Sequence, residues 1–156
     1  MRIKFTTIIL IVIALCFITS CTKRQDKMEV YSFSGENENI TISNGLIIVT
    51  DGSEKFIGGD LSFKVEEPSD VKSYFKKFFF YKDGVEITIL NGSTTTEGAT
   101  KGLHISSDLG SISSKDLFYD NDLELIKGSL NFSISGNLMN GEDFEYNLVL
   151  VVKKVY

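Results

Sequence analysis

The sequence predicts an all-β fold, an Ig-like antiparallel β-sandwich of about 7–8 strands with one short helix. Three observations predict it. From Glu29 onward apolar and polar residues alternate in short runs, the period of a half-buried strand. Turn-forming Gly, Asn, Asp and Ser separate these runs at intervals of about 10 residues. Helical spacing occurs in one short stretch alone. A small lipocalin-like β-barrel is the alternative, but a barrel would show more uniform two-residue hairpins.

The elements follow in order. Tyr31-Ser32-Phe33 opens the domain as an edge strand. Residues 40–49 and 56–65 pair across Thr50-Asp51-Gly52-Ser53, with Asn44-Gly45 and Gly58-Gly59 marking bulges or bends. After Pro68-Ser69-Asp70, a good helix start, Val71, Tyr74, Phe75 and Phe78 stand at i, i+3, i+4 and i+7. That spacing predicts a helix of one or two turns covering an open end of the sheets. Residues 77–81 and 85–90 flank Lys82-Asp83-Gly84, and Asp-Gly is a strong hairpin turn. The run from Phe78 to Tyr81 is apolar on both faces, so this strand is expected at the centre of a sheet.

Residues 92–102 hold Gly92, Gly98 and Gly102 with four threonines, which predicts a long, flexible loop. His104-Ile105-Ser106 reads as a further short strand. Near the C-terminus, Ile126, Leu130, Phe132 and Ile134 alternate with polar residues. Phe144, Tyr146, Leu148, Leu150 and Val152 then line one face of a last strand. The turn-rich Gly136-Asn137-Leu138-Met139-Asn140-Gly141 joins these two as an antiparallel hairpin.

The N-terminus carries a different signal. Arg2 and Lys4 precede an uncharged, mostly apolar run over residues 5–18, and Ile18-Thr19-Ser20-Cys21 ends it before the polar Thr22-Lys23-Arg24-Gln25-Asp26-Lys27. A positive start, a short apolar middle and small residues before a cut describe a secretory signal peptide. The apolar run is shorter than the roughly 18–20 residues a membrane-spanning helix needs. The boundary at Cys21 resembles the lipobox of bacterial lipoproteins, with Ile18 where Leu is usual. That resemblance implies that Cys21 becomes diacylated and forms the mature N-terminus. The expected organisation is a signal peptide over 1–20, a lipidated cysteine and tether over 21–28, and the β-domain over 29–156. The expected location is the extracytoplasmic face of a cell membrane.

Tyr31-Ser32-Phe33-Ser34-Gly35-Glu36-Asn37-Glu38-Asn39 resembles the start of the extracellular β-domain in a group of small Gram-positive lipoproteins. Asn37 replaces their usual Ser and Ile40 their Trp, and this chain has no tryptophan. The resemblance implies an Ig-like sandwich and carries no activity.

Composition narrows the function. The net charge is −5, and Arg2 and Lys4 are the only charges in residues 1–20, so the mature chain stands at −7. An acidic domain lacks the basic footprint that nucleic acid requires. Cys16 would leave with the signal and Cys21 would be acylated, so no disulfide or cysteine metal site is expected, and no cofactor.

His104, Ser106 and Asp108 form the one Ser/His/Asp cluster. On a strand they would lie about 7 Å apart along one face, too far for a nucleophile–base pair. Asp120, Asp122 and Glu124 begin a calcium-loop pattern, but Leu125 stands where Gly is needed and Asn131 where a bidentate Glu is needed. An exposed acidic turn before a strand at Ile126 fits those residues better. The chain is therefore expected to be a non-enzymatic, lipid-anchored binding or accessory module that meets a protein or peptide partner. Thr94, Thr95, Thr96 and Glu97 in the long loop are its candidate contacts. A small-ligand carrier with an apolar pocket and a cell-envelope enzyme are the other readings.

Overall fold

The computed structural model of the chain describes residues 28–96, 101–119 and 121–156; Cys21, Glu97 and Asp120 lie outside them. The expected all-β sandwich with one short helix forms, with ten strands among the described residues. They are β1 (Met28–Glu36), β2 (Ile40–Thr50), β3 (Glu54–Ile57), β4 (Asp60–Phe63), β5 (Val71–Lys82), β6 (Val85–Thr95), β7 (Ser111–Ser114), β8 (Asn131–Leu138), β9 (Asp143–Val149) and β10 (Val151–Lys154), with α1 (Asp122–Ser129) before β8. The first sheet runs β10-β1-β2-β3-β7, with β4 also paired to β2; the second runs β6-β5-β8-β9. All pairings are antiparallel, and the sheets stay separate rather than closing into a barrel.

Aromatic rings bind the two layers. Phe33 and Phe56 of the first sheet stack at 5.0 Å, and Phe78 of the second meets them edge-on at 5.8 and 5.1 Å. Phe132 lies 5.0 Å beyond Phe78, and all four rings are buried. Such offset and edge contacts add about 0.5–1.5 kcal/mol per pair beyond area burial. They fill the interior where a carrier would need its pocket.

Several elements differ from the sequence reading, each for a physical reason. Tyr31-Ser32-Phe33 is not at an edge, because the C-terminal strand β10 pairs outside β1. Residues 71–78 are not a helix but the first half of β5. A register shift between Val71 and Ser73 turns both Val71 and Tyr74 inward, and a bulge of that kind mimics a three-residue helical step. Conversely, residues 122–129 form helix α1 rather than a strand. Ile126 and Leu130 are both fully buried, and their four-residue spacing satisfies either period. Asp122 and Glu124 in the first turn and Lys127 in the last complement the helix dipole.

His104-Ile105-Ser106 forms no strand; isolated bridges at Leu103 and Asp108 tie that segment to Val71 and Asp60, and the Leu61 N–H donates to the Ser107 carbonyl. The expected final strand is divided at Leu150, buried with its N–H on the Leu130 carbonyl at 2.8 Å. Its two halves therefore join different sheets. The bends expected at Asn44-Gly45 and Gly58-Gly59 are present, with positive φ at Asn44 (60°) and Gly59 (79°).

Candidate binding site

Residues 92–95, expected in a flexible loop, are the last rungs of β6. Register then sets cross-strand rows on the outer face of the second sheet. One row reads Thr95–Ser73–Asn137–Asp143 and the next Ser93–Phe75–Ser135–Glu145. Below them lies Asn91–Lys77–Ser133–Asn147. Side chains of alternate residues share a face, so a belt of hydroxyls, amides and carboxylates crosses all four strands.

The upper two rows form an open groove of about 590 Å³, within the range of small-ligand and peptide clefts. Phe75 is its one exposed ring, at 40%. Around it the polar groups are already ordered. Ser73 Oγ donates to Asn137 Oδ1 at 3.1 Å, and Asn137 Nδ2 donates to Asp143 Oδ1 at 2.6 Å. One row down, Asn147 Nδ2 donates to Glu145 Oε1 at 2.8 Å. Exposed bonds of this kind add little stability. Their effect is to fix the amide planes.

Among the described residues, no lysine, arginine or histidine lines the groove. Lys77, one row away, turns aside: its Nζ pairs with Glu86 and lies 4.6 Å over the Phe79 ring. That cover, with Tyr81 edge-on at 5.7 Å, leaves Phe79 only 8% exposed while Tyr81 is 49% exposed. Phe75 is thus the aromatic centre of the groove; the sequence placed it on a helix, and strand pairing sets it in this row instead.

The remaining candidates disperse. Of the four loop residues, Thr94 and Thr95 line the groove. Thr96 is spent locally, its N–H and Oγ both donating to the Lys72 carbonyl. Asp122 is buried and accepts from Lys82 Nζ at 2.8 Å and the Tyr119 N–H at 3.1 Å, and Glu124 pairs with Lys127. These acids hold a helix in place instead of forming the exposed turn expected before Ile126. No group of three or more metal-type ligands converges among the described residues.

Ser106 Oγ donates to the Asp108 main-chain oxygen, and Asp108 Oδ1 accepts the Gly110 N–H. That cluster is a braced turn. Lys76, half-buried on β5, donates to the Asp108 carbonyl at 2.8 Å, and its pKa is lowered below the ordinary value, mainly by burial. Lys127 is shifted upward, chiefly by its bond to Glu124.

No protein-family model, no curated protein and no solved structure matches the chain.

Proposed function

We propose that this chain is a binding module held by lipid on Cys21 to the extracytoplasmic face of a membrane, and that the outer face of its second sheet meets a protein or peptide partner. The groove centred on Phe75 carries the reading. It joins an exposed ring to a preordered set of donors and acceptors, the mix needed by a chain that has main-chain N–H, C=O and apolar side groups of its own. Edge strand β6 borders the groove, so a partner segment could add alongside it and reach Phe75 with one side chain. Ser73 Oγ donates its hydrogen bond to an amide oxygen rather than to a base.

The lipid rests on the sequence at Ile18-Thr19-Ser20-Cys21. Cys21→Ser is expected to leave the domain folded and move it from the membrane to the soluble fraction; retention of the variant at the membrane would refute the anchor. For the face, the double variant Phe75→Ser with Ser135→Lys should lose the partner without a change in melting temperature. Full-strength partner binding by that variant would remove the second sheet from consideration.

A further inference from the structure

The outer face of the first sheet has the opposite chemistry to the groove. Tyr31, Phe33, Ile47 and Phe56 are buried inward, so alternation turns Val30, Leu46, Ile48 and Ile57 outward. Register sets Val30 beside Ile48, and Leu46 between Ser32 and Ile57. On the flanking strand, Val151 stands beside Ser34 and Lys153 beside Ser32, while Lys55 stands opposite Ile48. Val151 and the following Val155 are each 58% exposed.

The result is a surface of aliphatic side chains set among serines and two lysines. Glu36 and Asp60 on this side both lie beyond the bend at Asn44-Gly45, with Glu36 paired to Lys64 and Asp60 accepting from Asn44. In a chain of net charge −5, this is the side an anionic surface would repel least.

The chain enters at the corner of this same surface. Met28, 45% exposed, opens β1 on the side of Val30. Tyr156, 70% exposed, is tied there through its carbonyl, which accepts the Val30 N–H at 3.0 Å. Cys21 precedes Met28 by seven residues, a reach of at most about 25 Å when fully extended. Lys23, Arg24 and Lys27 lie within that tether. Aliphatic side chains, an amphipathic tyrosine and lysines whose stems can lie along apolar surface are the mixture that suits a lipid headgroup layer.

We infer that the outer face of the first sheet lies against the anionic bilayer to which the chain is anchored, so that the groove on the second sheet points away from the membrane. The inference rests on lipidation at Cys21.

The test uses the mature lipidated chain in vesicles of phosphatidylglycerol and phosphatidylethanolamine. With Cys21 acylated and Cys16 removed, a single added cysteine is the one free thiol, so Val151→Cys, Val155→Cys and Thr88→Cys can each carry one nitroxide. Labels at 151 and 155 should be shielded from a water-soluble relaxing agent and open to dissolved oxygen, and the label at 88, on the second sheet's outer face, fully aqueous. Lys55→Gln with Lys153→Gln should shift the balance toward the undocked state by about fivefold for each lysine replaced. High salt should do the same.

Protein that floats with the vesicles while all three labels are equally aqueous would overturn the inference and leave the anchor standing. Protein that fails to float would overturn both. Shielding at 151 that persists on uncharged vesicles and brings spin–spin broadening would mean that a second copy of the chain covers the face, which also overturns it.

Discussion

The two outer faces of this sandwich share one core yet differ in almost every surface property. On the second sheet, Ser73, Ser93, Ser135, Asn137, Asp143 and Glu145 surround a single ring, Phe75. On the first, Val30, Leu46, Ile48, Ile57 and Val151 stand with Lys55 and Lys153. Both obey the same strand alternation, because the inward residues of both must be apolar to bury the core. The outward residues are free of that demand, and one sheet carries mainly hydrogen-bonding groups there while the other sets aliphatic residues among serines and lysines. Core burial therefore fixes half of each strand, and function is written in the other half.

The largest expected effect strikes both faces together. Phe78 touches Phe33, Phe56 and Phe132, so Phe78→Ala should destabilise the fold by about 3–5 kcal/mol, measured by urea unfolding. A cost under about 1 kcal/mol would mean that the faces do not depend on a common core. Next comes the bend that divides the aliphatic half of the first sheet from Glu36 and Asp60. A methyl group at Gly45 would meet the Phe33 ring, so Gly45→Ala should cost about 1–3 kcal/mol by overpacking.

Phe75→Ala should separate the faces. Its stability change should stay within about 1 kcal/mol, since the ring is 40% exposed, while partner affinity falls at least about tenfold, as for an exposed aromatic anchor. Equal loss of affinity and stability would make Phe75 a packing residue.

The smallest effect concerns Lys76. Burial lowers its pKa in the folded chain, so the native state releases this proton at lower pH than the unfolded state does. Relative to Lys76→Met, the native chain should gain stability as pH rises through that lowered pKa toward 10.5, and show no trend with pH below it. A stability difference that is flat throughout would place Lys76 in water.

The strands were largely legible because most of them alternate cleanly and Asp83-Gly84 and Asn44-Gly45 announce turns. Two stretches read inversely, and they fail for mirrored reasons. Val71, Tyr74, Phe75 and Phe78 match a helical period only because a bulge after Val71 inserts a third residue into a two-residue repeat. Ile126, Leu130, Phe132 and Ile134 match a strand period although the first two sit on a helix turn and just past its end. Periodicity alone cannot separate a bulged strand from a short helix.

The groove was half legible. Thr94 and Thr95 were reachable as polar residues beside glycines, but Asn137, Asp143 and Phe75 join them only through pairing of strands far apart in the chain, as between Ser73 and Asn137. Sequence shows no such neighbours. The split at Leu150 was equally hidden, since the apolar alternation runs through it unbroken.

Paired photocrosslinking reads whether the two faces meet different neighbours. A benzophenone amino acid replaces Phe75 in one sample and Val151 in another, in cells carrying the lipidated chain. The account predicts one discrete protein adduct from position 75 and lipid adducts alone from position 151. A discrete protein adduct from 151 with none from 75 would contradict it.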